Sequence, residues 1–134
     1  GAIAQGMLVA DELALPYAYV RPKPKDHGMK NQIEGELPVG SKVVVVEDLI
    51  STGGSSLKAV AALCEAGFEV VGMVASYTYG FPVAEEAFRE ANVKLVTLTD
   101  YEHVVEKALE TGYIKESEVS MLHDWRKDPA NWRK

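Results

Sequence analysis

The sequence predicts an α/β fold with a mainly parallel central sheet and helices on both sides. Segments rich in β-branched residues alternate with segments of helical periodicity along the whole chain. One stretch, Lys42 to Ser56 (KVVVVEDLISTGGSS), runs from an apolar strand through two carboxylates into a hydroxyl- and glycine-rich turn that opens a helix. Its order is that of a buried parallel strand delivering a ligand-binding turn to the helix behind it. The length of 134 residues, 47% hydrophobic and 25% charged, fits one domain with its own core. No repeat, linker or low-complexity tract divides it.

Taken in order, Gly1 to Leu15 is rich in Ala and Leu and reads as a helix stopped by Pro16. Tyr17 to Val20 is a short strand. Arg21 to Glu36 breaks every periodicity, with prolines and glycines among few apolar residues, and reads as a long mobile loop. Ile33 and Leu37 bracket a weak strand near its end, and Gly40 turns the chain into the next element. Val43 to Val46 form an unbroken apolar run expected to be buried on both faces, with Glu47 and Asp48 at its end. The helix that follows has Leu57, Val60, Ala61 and Cys64 on its apolar side, and Gly67 as its C-cap.

Val70 to Tyr79 is the next strand, ending at Gly80. Pro82 to Ala91 is a helix, with proline at a tolerated first-turn position. Lys94 to Thr99 is a strand, and Asp100 caps a helix with Tyr101, Val104, Val105 and Ala108 on one face, ended by Gly112. Glu116 to Lys127 is a last amphipathic helix carrying Val119, Met121, Leu122 and Trp125, closed by Pro129.

Composition removes several function classes. A formal net charge of −6 argues against non-specific nucleic-acid binding. No apolar run approaches the ~20 residues of a membrane span, and none reads as a secretory leader. The single cysteine, Cys64, allows no internal disulfide, fits a reducing cytoplasm and reads as core. His27, His103 and His123 stand too far apart for a zinc site, and the last two read as surface or packing residues. Neither a G-x-G-x-x-G run nor a P-loop is written in the chain.

The chemistry is concentrated in two places. Ser51, Thr52, Gly53, Gly54 and Ser55 offer hydroxyls and close-approaching backbone N–H groups at a helix N-terminus, which suits a phosphate. Glu47 and Asp48 beside them suit hydroxyls or a metal, so the pair of features points to a sugar phosphate. Either feature alone is more often an ordinary solvated turn; it is their order without gaps that carries the reading. The second place is the loop, where Arg21, Lys23, Lys25, His27 and Lys30 crowd basic groups into an acidic protein. A mobile basic segment beside a phosphate site is suited to closing over a polyanion.

VVVVEDLISTGGS resembles, at every position, the fingerprint with which type I phosphoribosyltransferases bind 5-phosphoribosyl 1-pyrophosphate (PRPP). RPKPKDHG followed by NQIEG looks like the flexible loop of orotate phosphoribosyltransferases, and GFPVAEEAF from Gly80 to Phe88 is similar to one branch of that family. The resemblance covers essentially the whole chain and implies a type I phosphoribosyltransferase-like fold with a flexible basic loop. It implies one core domain over residues 1–134, opening in a remnant of the pyrophosphate loop at Gly1 to Ala4, without the family's N-terminal base-covering segment.

By the same resemblance, Lys25 and His27 are the loop's catalytic residues, and Arg21 and Lys23 help to hold pyrophosphate. Glu47 and Asp48 bind the ribose hydroxyls, Asp48 counting also as catalytic. Ser51 to Ser55 cradle the 5′-phosphate, with Ser51 also near orotate. Mg²⁺ is expected to enter with PRPP rather than on protein ligands of its own. Two positions depart from one family branch: Pro22 stands where that branch has a second basic residue, and Tyr77 and Tyr79 occupy a stretch where it has an orotate-contacting arginine.

The activity implied is transfer of the phosphoribosyl group from PRPP to orotate in a cytoplasmic homodimer, giving orotidine 5′-monophosphate and pyrophosphate. Neither a membrane nor a nucleic acid is an expected partner. The alternatives are transfer to another base, since the fingerprint reads PRPP and not the acceptor, and a non-catalytic PRPP-binding regulator.

Overall fold

The computed structural model describes residues 1–22 and 32–132. Its elements follow the order α1 (Ala2–Glu12), β1 (Ala18–Val20), β2 (Ile33–Gly35), β3 (Lys42–Ile50), α2 (Gly54–Glu65), β4 (Glu69–Thr78), α3 (Pro82–Glu90), β5 (Leu95–Asp100), α4 (Tyr101–Glu110) and α5 (Glu116–Lys127), with a closing 3₁₀ turn, Pro129–Asn131. Strands β3, β4 and β5 form a parallel sheet in that order, flanked by helices. Val45 lies opposite Met73, and Val74 opposite Val96. Strands β1 and β2 pair antiparallel as a separate two-stranded ribbon, Ala18 against Gly35 and Val20 against Ile33.

The core is one cluster of Ile50, Val60, Met73, Ala75, Ala84 and Phe88, drawn from β3, α2, β4 and α3. Leu57, Val45, Val70, Val93 and Leu95 pack around it. The elements beside the candidate phosphate turn are therefore the ones anchored most deeply, as a preformed ligand site needs.

Several elements differ in detail from the sequence reading. Helix α1 ends before Pro16, because Ala14 adopts a left-handed conformation (φ 51°) and the Leu15 N–H reaches back to Ala10 O at 2.8 Å. That is a Schellman-type ending made on alanine instead of glycine. Strand β3 does not stop at the carboxylates but continues through Leu49 to Ile50, whose side chain is fully buried. Nor is its apolar run covered on both faces: Val44 is 53% exposed. Val96 and Leu98 of β5 are open as well, so part of one sheet face carries no layer among the described residues.

A register shift at Val43/Val44, where Val43 faces Val70 and Val44 faces Gly72, leaves Val71 unpaired. On α2 the buried stripe is Ser56, Val60 and Leu63. It is rotated from the predicted one, so Ala61 and Cys64 face solvent. Likewise Val104 of α4 is exposed, and that helix buries Tyr101 and Val105.

Candidate functional site

The site is built at the C-terminal ends of β3 and β4, where open parallel sheets bind ligands. Glu47, half-buried, lies opposite Ala75 in the ladder. Successive strand residues alternate in facing, so Glu47 and Asp48 approach the strand end from two sides. The Asp48 Oδ1 accepts a hydrogen bond from the Leu49 backbone N–H at 2.8 Å. Gly1, which precedes α1, stands so close to this carboxylate that a methyl group on Gly1 would run into Oδ2. The start of α1, at Gly1 to Ala4, therefore borders the carboxylate pair.

Beyond Ile50 the chain turns through Ser51 and Thr52 to Gly53, the N-cap of α2. Gly53 has φ 79°, a left-handed conformation that an L side chain adopts only at a cost. It is also buried directly on Phe88, whose Cε2 would lie 2.8 Å from a β-carbon placed there. Two separate demands thus fix glycine at this position. No side chain caps α2, and the Gly53 carbonyl accepts from the Leu57 N–H at 2.9 Å. The first-turn N–H groups have no intrahelical acceptor by construction, and with Thr52, Gly54 and Ser55 exposed the turn can meet an anion. Ser56, only 2% exposed, belongs to the floor of the turn rather than its rim.

The end of β4 is stitched to this turn. The Tyr79 N–H donates to Ile50 O at 3.1 Å, and Thr78 Oγ1 donates to the same carbonyl at 3.4 Å while accepting from the Gly80 N–H at 3.0 Å. Next to it lies an aromatic group. Tyr79 stacks on Phe81 at 5.2 Å and meets Trp125 of α5 edge-on at 5.6 Å, and Tyr101 stacks on Trp125 at 5.6 Å. A cleft of about 480 Å³ opens among Tyr77, Tyr79, Tyr101, Leu122 and Trp125. Burial first, then the neighbouring Tyr79 and Tyr101, pushes the Tyr77 phenol up to about 12, so it stays a neutral hydroxyl at physiological pH.

Arg21, at the end of β1, has its guanidinium 3.2 Å from Glu34 of β2. Its backbone N–H donates to Gln32 O at 2.7 Å, and the Gln32 side chain donates to Arg21 O at 3.1 Å. Both sides of the predicted basic loop are thereby joined at its base. Lys23, Lys25 and His27 lie outside the described residues. Of the predicted residues, Glu47 and Asp48 lie on β3 and Ser51 to Ser55 on the turn and first residues of α2 that follow it, while Arg21 directly follows β1 of the separate ribbon.

Arg126 of α5, which the sequence reading passed over, reaches this edge of the site, its Nε donating to Tyr79 O at 2.9 Å. It follows Trp125 and falls four residues after Leu122, on the stripe read as merely apolar. A cation at that position was the available signal. Among the described residues no three His, Cys, Asp or Glu side chains gather into a metal cage, and no helix is long and apolar enough to cross a membrane.

Comparison with known proteins gives a consistent picture. The chain is 70% identical over 132 residues to an orotate phosphoribosyltransferase of Bacteroides thetaiotaomicron, covering 98% of this chain and 62% of that protein. It is 50% identical over 131 residues to the Streptococcus agalactiae protein of the same name, covering 98% of this chain and 63% of the relative. The chain thus spans about three-fifths of the length of these relatives. Among solved structures, orotate phosphoribosyltransferase from Aeropyrum pernix superposes with a TM-score of 0.73 at 31% identity, over 86% of this chain and 62% of that one. The Mycobacterium tuberculosis enzyme in complex with PRPP gives 0.54 at 30% identity, over 66% of this chain and 49% of that one. Residues 1–111 match the phosphoribosyl transferase domain. With that match running through the carboxylate pair, the glycine turn and the sheet that carries them, the chain belongs to the phosphoribosyl transferase domain family.

Proposed function

We propose that this chain is the PRPP-binding core of an orotate phosphoribosyltransferase, joining orotate to the phosphoribosyl group with loss of pyrophosphate. The observation that carries the reading is the junction of β3 and α2. Two carboxylates in the last pleats of a parallel strand, at Glu47 and Asp48, are followed within five residues by a left-handed glycine that opens an uncapped helix. Glu47 and Asp48 would hold the ribose hydroxyls, and Ser51 to Ser55 the 5′-phosphate, with Ser51 also near the base. Arg21 and Lys23 would serve the pyrophosphate, and Lys25 and His27 its departure. The high identity to proteins named for orotate supports the acceptor.

As the bond from the sugar to pyrophosphate breaks, the orotate ring nitrogen supplies the electron pair for the new bond. Negative charge then develops on the departing oxygen, where a lysine and a protonated histidine act best. Water must be kept from the oxocarbenium-like carbon, and a closing loop serves that end. Mg²⁺ fits such a site: it would come in on the phosphates of PRPP, with the carboxylates of Glu47 and Asp48 as the acidic groups at hand. When bound, it would offset charge on the pyrophosphate. A cytoplasmic homodimer belongs to the same reading, on the strength of the family resemblance.

The test is a base panel with PRPP and Mg²⁺, following nucleotide and pyrophosphate for orotate, uracil, adenine and hypoxanthine. Orotidine 5′-monophosphate formed from orotate alone is the expected result. Preference for another base would overturn the acceptor, and PRPP binding without transfer to any base would favour a regulator.

A further inference from the structure

Arg126 projects from α5, remote in sequence from every residue of the phosphate turn, yet it grips the end of β4. Its Nε donates to Tyr79 O at 2.9 Å and its Nη2 to Gly80 O at 3.0 Å. The remaining nitrogen, Nη1, lies 3.2 Å from a carboxylate oxygen of Glu102 on α4. The guanidinium carbon stands 5.8 Å from the Tyr101 ring centroid. The side chain is two-thirds covered, with 32% relative exposure. A planar fork can satisfy two consecutive carbonyls and a carboxylate together, which a lysine cannot.

The fit is close on the other side too. Gly80 has φ 61°, and a β-carbon there would lie 2.8 Å from Nη2. The carbonyls that Arg126 holds belong to the segment whose Tyr79 N–H bonds to Ile50 O, and Ile50 is the residue before Ser51. Hydrogen bonds therefore link α5 to the β4–α3 junction, and that junction to Ile50 O, one residue before the phosphate turn.

We infer that Arg126 is a positioning residue for the PRPP site, fixing the β4–α3 junction so that the turn from Ser51 to Gly54 keeps its anion-binding shape. This rests on the PRPP reading above. Arg126 touches no substrate; it acts through Tyr79 and Gly80. Loosening them lets the Ile50 carbonyl and the turn behind it shift, and the loss falls on PRPP binding, not on base chemistry.

The experiment is calorimetric titration of the chain with PRPP and Mg²⁺, alongside amide hydrogen exchange. Arg126→Ala, folded by circular dichroism and held well below its unfolding temperature, should bind PRPP about tenfold more weakly. The Tyr79 amide should exchange faster, and millimolar guanidinium should restore part of both. Arg126→Lys, which keeps the charge and the stem, should show the same weakening in milder form, and it decides the matter if the alanine variant does not fold. Unchanged PRPP affinity with only a lowered melting temperature would make Arg126 a plain staple and overturn the inference. So would a loss that guanidinium leaves untouched. Failure of the unsubstituted chain to bind PRPP removes the site reading itself, and is seen before any substitution is made.

Discussion

Glu47 and Asp48 are adjacent, yet the strand presents them differently, and each should matter by itself. A carboxylate binds a hydroxyl about twice as strongly as a neutral amide does, so Glu47→Gln and Asp48→Asn should each weaken PRPP binding by about 1 kcal/mol. Titration calorimetry would read this, and parent-like affinity in both variants would strip the pair of its role. Gly53 is the sharper case, since φ 79° and the contact with Phe88 both exclude a side chain. Gly53→Ala should cost at least about 1–2 kcal/mol from the backbone alone. In a Phe88→Leu background, which removes the contact at its own cost in packing, Gly53→Ala should leave only the backbone cost, as denaturant unfolding of the two single variants and the double variant would separate.

A third residue-scale effect is set by pH. Hydrogen bonds from the His103 backbone and ring hold the Asp100 carboxyl below its ordinary range, and the same carboxylate raises the His103 imidazole. The histidine's share of stability is present below about pH 6.5 and lost as pH rises through its raised value. The aspartate's share is present above about pH 4 and lost as pH falls through its lowered value. His103→Gln should therefore lose more stability at pH 6 than at pH 8. Equal urea-midpoint shifts at the two pH values would count against the pairing.

At the scale of elements, the end of α1 shows what a local sequence signal hides. Pro16 marked a stop, but nothing in the string told that Ala14 would take the left-handed position which glycine usually fills. Ala14→Gly should stabilise the chain by about 0.5 kcal/mol, relief of strain exceeding the entropy that glycine costs, as a higher unfolding midpoint would show. Helices and strands were legible because their periods are local: every predicted element has its counterpart, β2 around Ile33 included. Facing was less legible. Whether Val60 is joined on the buried side by Leu63 or by Cys64 depends on where α3 and the sheet lie, which no window of α2 contains. The strand end was misplaced for a related reason: carboxylates look like a boundary, but pairing of Leu49 with Tyr77 and Ile50 with Thr78 extends β3 past them.

For the whole molecule, the carboxylate pair and the proposed phosphate turn could be located because they are contiguous in sequence, fifteen letters from strand to helix. Arg126 could not, because its meaning is set 46 residues away, at the Gly80 carbonyl it reaches. The floor under Gly53 was equally invisible: Phe88 is both a member of the buried cluster and the surface on which the turn rests. This shared side chain makes ligand affinity and thermal resistance two readings of one equilibrium. PRPP at a hundredfold excess over its dissociation constant should add about 2.7 kcal/mol to unfolding, and scanning calorimetry would measure it. A conservative trimming of Phe88 should then register twice, as a cooler melt without ligand and as a smaller upward shift with it. A variant of that kind would lose ligand and fold together on warming, at a lower temperature than the unsubstituted chain.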